Sequence, residues 1–161
     1  KILCAKFRKG HFEGVLDIME RFIKLIKPKY IFMGEKDYQQ LFLVKDFIKD
    51  KHRSKIYPCK TIRDKNKVAL SSRNYLLSKK DFNKAGLIAA FLQKLKFTIK
   101  IDRSVNSYLN VLKTELIKKY KIKIEYLEIR NEKDLKLTVV NKKNRLFIAY
   151  YINKVRLIDN F

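Results

Sequence analysis

The apolar positions near residue 30 form an uninterrupted run without alternation. Tyr30 to Met33 are all apolar, and Gly34 ends the run. A short apolar run that stops at a turn residue is typical of a parallel strand covered on both faces. After a polar cluster, helical spacing resumes at Leu41, Val44 and Ile48. This pattern predicts a strand, a glycine turn and a helix.

The flanking segments extend this unit. A helical stripe ends before Lys27 and Pro28, and we expect all of its apolar members in the core: Phe12, Val15, Leu16, Met19, Phe22, Ile23 and Ile26. The segment from Lys55 to Cys59 is predicted to be a second strand, with Pro58 marking its end. A helix between two such strands predicts a parallel βαβ pair.

Beyond Leu77 the pattern changes. Ser78 and Asp81 have the spacing of a capping box and predict a helix start. Two helical stripes follow: Phe82, Ala85, Ala89 and Leu92, then Val105, Leu109, Leu112 and Leu116. This change predicts a boundary near Leu77, with an α/β domain over 1–77 and a small α+β domain over 78–161.

The last 40 residues switch to strand-like periodicity. Ile122, Ile124 and Tyr126 alternate, and the phase slips at Leu127. Leu135 to Val140 allows either a short strand or irregular structure. Asn153-Lys154 lies between two apolar runs, 145–152 and 155–158, which predicts a tight hairpin.

Composition changes this picture little. The net charge of +23 is compatible with nucleic-acid binding. However, the 39 basic residues are mostly lysines, are spread over every segment and are mixed with 16 acidic residues. We therefore expect a charged surface without a dedicated nucleic-acid site.

Metal binding, disulfide bonding and membrane insertion are not indicated. Cys4 and Cys59 lack the spacing of a metal site, and we expect both to be reduced thiols. No apolar run approaches the roughly 20 residues of a membrane span, and the first residues do not resemble a signal peptide. These features predict a cytoplasmic protein with no metal site built by its own side chains.

Two polar clusters are candidates for chemistry. Gly34, Lys36, Asp37 and Gln40 follow the first predicted strand, where open α/β sheets bind ligands. Lys36 and the amides of the new helix would suit an anionic group such as a phosphate. The alternative is an ordinary strand-to-helix turn with solvated charges.

The second cluster is the segment from Ala69 to Asn74. Ser71, Ser72 and Arg73 place two hydroxyls and a guanidinium in three consecutive positions. Such donors suit phosphate oxygens, although turn formation by the serines and a surface ion pair of Arg73 are the ordinary alternatives.

Taken together, these segments resemble the pantothenate synthetase family. Phe32 to Leu41 resembles the family's Phe-Gly-Glu-Lys-Asp and Gln-Gln-Leu, and Ala69 to Asn74 matches its Ala-Leu-Ser-Ser-Arg-Asn. Phe7 to Val15 resembles the family's Arg-Pro-Gly-His-Phe-x-Gly-Val, with lysine in place of proline. Arg156 to Asn160 matches its closing Arg-Leu-Ile-Asp-Asn.

The resemblance implies a fold and a reaction. It implies the C-terminal part of a Rossmann-like nucleotidyltransferase parallel sheet, followed by a small α+β domain. The family uses ATP and Mg²⁺ to activate pantoate as pantoyl adenylate, from which β-alanine displaces AMP, and it is commonly homodimeric. The family's His-x-Gly-His element, which holds the ATP phosphates, has no counterpart here. We therefore expect an N-terminally truncated chain that is inactive alone.

The resemblance also implies roles for individual residues. Lys36 and Arg73 would be catalytic, and Gln40 would bind pantoate. The implied ATP-binding residues are Gly34, Lys36, Asp37, Leu70, Ser71, Ser72 and Arg73. His11 is expected either near the active site or as a capping or packing residue.

Two alternatives stay open, a degenerate non-catalytic remnant and a basic nucleic-acid-binding module.

One departure from the family lies in the loop that precedes Ser71. Where the family has Asp-Gly, this chain has Asn66-Lys67, and the loss of glycine affects a loop that is expected to move.

Overall fold

The computed structural model describes residues 2–99, 102–138 and 143–161. Contacts divide the chain into two compact units, Lys1–Thr61 and Ile62–Phe161. This division falls earlier than the domain boundary predicted near Leu77, which stays a prediction.

The first unit contains three helices and two strands. Their order is α1 (Cys4–Phe7), α2 (His11–Ile26), β1 (Tyr30–Gly34), a 3₁₀ turn (Glu35–Asp37), α3 (Tyr38–Ile48) and β2 (Lys55–Cys59). The predicted strand–turn–helix–strand succession is therefore confirmed. Strands β1 and β2 pair in parallel, and Gly34 lies beside Cys59 at their carboxyl ends.

Only one face of this strand pair is covered in the first unit. Ile31 and Met33 pack towards the core formed by Ile23, Val44 and Ile48. On the other face, Phe32 is 70% exposed. The prediction of a strand covered on both faces is thus wrong for the described chain. An apolar sequence shows that a strand could be buried on both faces. Whether it is buried depends on which elements pack against it.

Helix α2 departs from prediction in the same way. It spans the predicted stripe and ends at Ile26, where Lys27 adopts a left-handed conformation before Pro28. Phe12 and Ile23 are buried, but Phe22 and Ile26 are exposed. The expectation that the whole stripe is core is therefore wrong for these two residues. One side of the helix packs on its unit, and the other meets no covering element there.

The second unit contains two helices and an antiparallel sheet. A 3₁₀ turn (Ser72–Leu76) leads to α4 (Lys79–Thr98), α5 (Val105–Tyr120), β3 (Lys123–Asn131), β4 (Asn144–Ile152) and β5 (Val155–Asn160). The sheet order is β3-β4-β5. A parallel pair followed by helices and an antiparallel sheet confirms the predicted α/β class with an α+β part.

Local predictions in this unit are also confirmed. Ser78 caps α4, since its Oγ accepts a hydrogen bond from the Asp81 amide at 3.1 Å. The phase slip near Leu127 corresponds to a register shift between Ile124 and Tyr126, which is a β-bulge. Strands β4 and β5 form the predicted hairpin around Asn153.

One core joins both helices to the sheet. Its fully enclosed members include Ile88 and Leu92 of α4 together with Ile129, Leu146 and Ile148 of the sheet. Each residue buried in this way contributes roughly 1.5–3 kcal/mol relative to exposure. The second unit therefore has a closed core of its own.

The segment from Leu135 to Val140 is irregular where the structure describes it. Leu135 is buried at positive φ, and Leu137 forms an isolated bridge with Arg130. Val140 lies outside the described residues. Among the described residues, no helix combines the length and hydropathy that crossing a membrane requires.

Candidate functional site

The first predicted cluster lies at the carboxyl end of β1. Gly34 ends the strand, residues 35–37 form a 3₁₀ turn, and α3 begins at Tyr38. Gly34 has an ordinary extended backbone, and a Cβ atom added there would have no heavy atom within 4 Å. Neither backbone strain nor packing within the described chain therefore requires glycine here, and the space beside it is open to a ligand.

Lys36 and Asp37 form the charged part of this turn. The Lys36 Nζ atom lies 3.6 Å from the Asp37 Oδ2 atom, and the Lys36 side chain is only 19% exposed while that of Asp37 is 49% exposed. An ammonium held close to a strand end and mostly shielded from water interacts more strongly with an anion than a free surface lysine does. The turn therefore places a largely shielded positive charge two residues after Gly34.

The two glutamines that follow have different environments. Gln39 is buried; it accepts a hydrogen bond from the Cys4 amide at 2.9 Å and donates one to the Ile2 carbonyl at 3.0 Å. Gln39 is thus a structural tie between α1 and α3. Gln40, the predicted pantoate ligand, is only partly buried in the first turn of α3.

His11 is the first residue of α2. Its Nε2 atom lies 2.6 Å from the Arg8 Nη1 atom, and its ring lies 5.0 Å from that of Phe12. Gly10 precedes it at φ +72°, a conformation that favours glycine. These contacts give His11 a local packing role, and a role in an active site stays a prediction.

The second predicted cluster is at the start of the second unit. The 62–70 segment folds back on itself, and Arg63 and Ala69 form an antiparallel bridge. Ser71 then caps the 3₁₀ turn, since its Oγ accepts a hydrogen bond from the Arg73 amide at 3.3 Å. Ser72 and Leu70 are exposed. Ser71 therefore has the turn-forming role considered as the ordinary alternative, and its hydroxyl keeps a proton to donate.

The guanidinium of Arg73 lies against strand β5. Its Nη1 atom donates a hydrogen bond to the Arg156 carbonyl at 3.2 Å. Arg156 is itself held by Glu125, whose Oε2 atom accepts from Nε at 3.0 Å and from Nη2 at 2.6 Å. Arg73 makes no carboxylate ion pair among the described contacts, and its side chain is partly exposed.

Sequence reasoning missed the residues that support this second cluster. Asn74 donates from Nδ2 to the Ala69 carbonyl at 3.0 Å, which closes the turn. Arg63 reaches Asp159 on β5 with two hydrogen bonds, of 2.7 and 2.8 Å. A signal did exist, because a carboxylate near the end of an apolar strand needs a partner when buried. Nothing local identified Arg63 as that partner.

The charge on Asp159 also affects a buried tyrosine. Burial, and secondarily the nearby Asp159 carboxylate, raise the pKa of Tyr150 above its ordinary value. Tyr150 is therefore neutral throughout the physiological range. Asp159 is paired with Arg63, which lies in the 62–70 segment.

The side chains of the two clusters indicate whether a metal ion could bind there. The described residues contain no cluster of three or more His, Cys, Asp or Glu side chains able to hold a metal ion. Mg²⁺ in nucleotide sites is often held by one or two carboxylates plus substrate phosphates. Asp37 is the one carboxylate among the predicted ATP-binding residues, so the residues present fit a metal carried chiefly by the nucleotide.

The structure brings the predicted residues together in two groups. Gly34, Lys36, Asp37 and Gln40 share one turn of the first unit, and the segment from Leu70 to Arg73 forms one turn of the second. Each group combines hydrogen-bond donors with a cation, which is the chemistry that phosphate oxygens require.

Comparisons with known proteins identify the kind of chain that carries these groups. The fold is of the α/β class, with donors placed after the carboxyl end of a parallel strand. The chain belongs to the pantoate-beta-alanine ligase family, whose model matches residues 1–161.

Individual relatives support the same family assignment. The chain is 38% identical over 162 residues to a pantothenate synthetase of Flavobacterium psychrophilum, covering 97% of this chain and 56% of that protein. It resembles a pantothenate synthetase structure from Thermus thermophilus with a TM-score of 0.85 and 26% identity, covering 99% of this chain and 59% of that one.

A third relative was solved with ligands. The pantoate-beta-alanine ligase of Francisella tularensis, complexed with beta-gamma ATP and beta-alanine, matches with a TM-score of 0.78 and 36% identity, covering 99% of this chain and 53% of that one. This chain therefore spans little more than half the length of the relatives it matches.

Proposed function

We propose that this chain is the part of a pantothenate synthetase that supplies Lys36 and the Ser71–Arg73 loop to the phosphates of ATP. The observation that carries the proposal is Lys36, a largely shielded cation in the turn that follows the carboxyl end of β1. Family membership and a relative solved with an ATP analogue support the choice of nucleotide.

The reaction has two steps. In the first, a pantoate carboxylate oxygen attacks the α-phosphorus of ATP, the bond to the bridging oxygen breaks, and pyrophosphate leaves. In the second, the amine of β-alanine attacks the acyl carbon of pantoyl adenylate, AMP leaves, and the amine loses a proton. Mg²⁺ supplies charge neutralisation to the phosphates.

The chain's residues act mainly on the first step. Negative charge grows on the α-phosphate and on the leaving pyrophosphate, and preorganised donors at those positions lower the barrier. Lys36 is the main cation in this role. Ser71, Ser72 and Arg73 donate to phosphate oxygens from the loop.

The remaining residues bind and orient. Asp37 contacts the nucleotide ribose or orients Lys36, and Leu70 contacts the nucleotide. Gly34 allows close approach of the nucleotide, and Gln40 hydrogen-bonds to pantoate. We place the reaction in the cytoplasm and expect a homodimer, as in the resembled family.

A complementation assay tests the proposal. AMP release that depends on pantoate and β-alanine is measured for the 161-residue chain alone, and then for the chain joined to the N-terminal half of the Flavobacterium psychrophilum relative. We expect no turnover from the chain alone, because phosphate donors are needed from more than one side. The joined protein should release AMP.

Each alternative has its own outcome in this assay. Robust turnover by the chain alone would contradict the requirement for a second half. A joined protein that folds but forms no pantoyl adenylate would favour a non-catalytic remnant.

The charge of +23 favours one second candidate, a basic nucleic-acid-binding module. Such a module would bind duplex DNA with a log affinity that falls linearly with log salt, by about 0.9 for each neutralised phosphate. ATP binding that is lost in Lys36→Ala but kept in Lys143→Ala would argue against this candidate.

A further inference from the structure

The segment before Ser71 is a hairpin stabilised by its own hydrogen bonds. The Leu70 amide donates to the Ile62 carbonyl at 2.9 Å, and the Asp64 amide donates to the Val68 carbonyl at 3.0 Å. The Asp64 Oδ1 atom accepts from the Val68 amide, also at 3.0 Å. Whatever orients this hairpin therefore orients the Ser71–Arg73 segment that follows it directly.

Arg63 ties one side of the hairpin to β5. Its guanidinium donates to both carboxylate oxygens of Asp159, at 2.7 and 2.8 Å, and to the Asn160 carbonyl at 3.1 Å. It also donates to the Lys67 carbonyl at 2.9 Å and lies 4.6 Å from the centre of the Phe161 ring. The Arg63 and Asp159 side chains are 16% and 9% exposed. One guanidinium thus joins both arms of the hairpin to the last strand.

The tip of the hairpin lies against helix α4. A Cβ atom added at Gly86 would come within 2.8 Å of the Asn66 carbonyl oxygen and 2.9 Å of its Cβ atom. Because a backbone atom cannot swing aside as a long side chain can, only glycine permits this approach. The Asn66 Nδ2 atom also donates to the Asn83 Oδ1 atom at 3.3 Å. The hairpin is therefore held at two separate places.

The geometry of the pair between Arg63 and Asp159 is better suited to orienting the hairpin than to raising the free energy of unfolding. A planar guanidinium that meets a carboxylate with two parallel hydrogen bonds defines both distance and orientation. A buried pair of this kind adds little net stability, because removing both charges from water offsets most of the attraction. Breaking it by removing one partner is costly for the same reason.

We propose that Arg63 and Asp159 are positioning residues that hold the hairpin so that Ser71, Ser72 and Arg73 face the phosphates of a nucleotide. The proposal rests on the proposed function for the identity of the ligand. Gly86 supports the same placement from the α4 side. None of the three residues needs to touch the nucleotide.

Amide hydrogen exchange on the full 161-residue chain tests the placement. Asp159→Asn should speed exchange in the 62–77 peptide by about tenfold or more, because the broken pair no longer opposes local opening. The core peptide 105–116 should be unchanged. Equal acceleration of both peptides, or of neither, would overturn the proposal.

Two further variants make the test specific. Glu128→Gln breaks another shielded pair, in which the Arg130 Nη2 and Glu128 Oε2 atoms are 2.6 Å apart, and it should leave the 62–77 peptide unchanged. Gly86→Ala favours the helix by intrinsic propensity yet displaces Asn66. It should therefore speed exchange at 62–77 even if Asp159→Asn fails to fold.

A kinetic measurement links the placement to the nucleotide. In the chain joined to the relative's N-terminal half, Asp159→Asn should raise the KM for ATP by about tenfold through misplaced phosphate donors, while the KM for β-alanine stays unchanged. The exchanged pair Arg63→Asp with Asp159→Arg should recover part of the loss. Equal effects on both KM values would overturn the positioning role.

The two proposals fail in different ways. An unsubstituted joined protein that folds but forms no adenylate overturns the proposed function, and with it the nucleotide as ligand. Unchanged exchange in the 62–77 peptide overturns the roles of Arg63 and Asp159 whatever the activity is.

Discussion

The two units differ in how completely they bury their apolar side chains. The second unit encloses Ile88, Leu92, Ile129, Leu146 and Ile148 completely. The first unit fully encloses Val44 but exposes several large apolar side chains: Phe7, Ile18, Phe22, Leu25, Ile26, Tyr30, Phe32 and Tyr57. The second unit also exposes large apolar side chains: Ile62, Leu70, Tyr75, Leu76, Leu87, Phe91, Phe97, Tyr108, Val111 and Leu137. The units therefore differ in the size of the enclosed core, not in whether apolar side chains are exposed.

The exposed residues of the first unit lie mainly on two surfaces. One is the outer side of α2, and the other is the open face of the β1–β2 pair, where the Tyr57 ring lies 5.2 Å from that of Tyr30 and 5.6 Å from that of Phe32. Exposed apolar patches of this kind mark sites of interaction with protein, membrane or ligand.

The difference indicates where the stability of this chain resides. A unit of about 60 residues is marginal even with a closed core, whereas about 100 residues around one core can fold independently. The second unit should therefore dominate the free energy of unfolding. Lys36, the cation of the proposed function, lies in the first unit.

The largest effect expected concerns the separated units. Residues 62–161 expressed alone should unfold cooperatively on heating, because their core is complete. Residues 1–61 alone should lack a cooperative transition, because α2 and the β1–β2 pair each leave one side bare. Circular dichroism melting of the two fragments measures this. A cooperative transition in the 1–61 fragment would break the comparison.

The second prediction tests whether the weaker unit carries the main cation. In the chain joined to a relative's N-terminal half, Lys36→Ala should slow pantoyl adenylate formation by about two to three orders of magnitude, as for loss of one transition-state donor. Arg73→Lys should have a smaller effect, since it keeps the charge but loses the bidentate fork.

Lys143→Ala is the matched control for both variants. Lys143 is an exposed lysine next to β4 and should tolerate the change. Single-turnover adenylation measures all three variants. Similar slowing in all three would point to general electrostatics, and an unaltered rate in Lys36→Ala would refute its role.

The third prediction compares one apolar side chain from each unit. Ile148→Ala should lower the free energy of unfolding by about 3 kcal/mol, because it leaves a cavity in a closed core. Phe32→Ala should change it by less than about 1 kcal/mol, since that ring is largely exposed already. Urea denaturation followed by circular dichroism measures both. A larger loss from Phe32→Ala than from Ile148→Ala would contradict the comparison between the two units.

The smallest effect expected is at Lys67, which has φ +71° in the hairpin. Lys67→Gly should raise the free energy of unfolding by about 0.5 kcal/mol, because removing a left-handed strain of about 1–2 kcal/mol outweighs the entropy cost of glycine. Lys65→Gly, two residues earlier without positive φ, should instead be neutral or destabilising. If Lys67→Gly lowered the free energy of unfolding as much as Lys65→Gly did, the inferred backbone strain at Lys67 would be contradicted.

Much of the local structure could be predicted from the sequence. The Ser78 cap, the stripe of α5 and the hairpin at Asn153 depend on side chains only a few residues apart, and all three are confirmed. Near Asn66 the prediction was less complete. The sequence shows that Lys67 replaces the family's glycine, but only the structure shows that Lys67 itself adopts a left-handed conformation.

The candidate site was only partly predictable. The two donor clusters could be found because each is continuous in the sequence. The residues that hold the second cluster in place could not be found in this way. Arg63 and Asp159 are 96 positions apart in the sequence, and Gly86 of helix α4 contacts Asn66 of the loop.

The sequence by itself determined the positions of most helices and strands, the two predicted donor clusters, and the family that the motifs resemble. Hydrophobic periodicity, capping and turn chemistry act over a few residues, so they can be read along the chain. Only the tertiary structure decided that Gln39 ties α1 to α3, that Phe22 and Phe32 stay exposed, and that β5 holds the hairpin before Ser71. The reason is that burial and long-range pairing depend on which surfaces meet, and an apolar or charged residue specifies what it needs without specifying which partner will supply it.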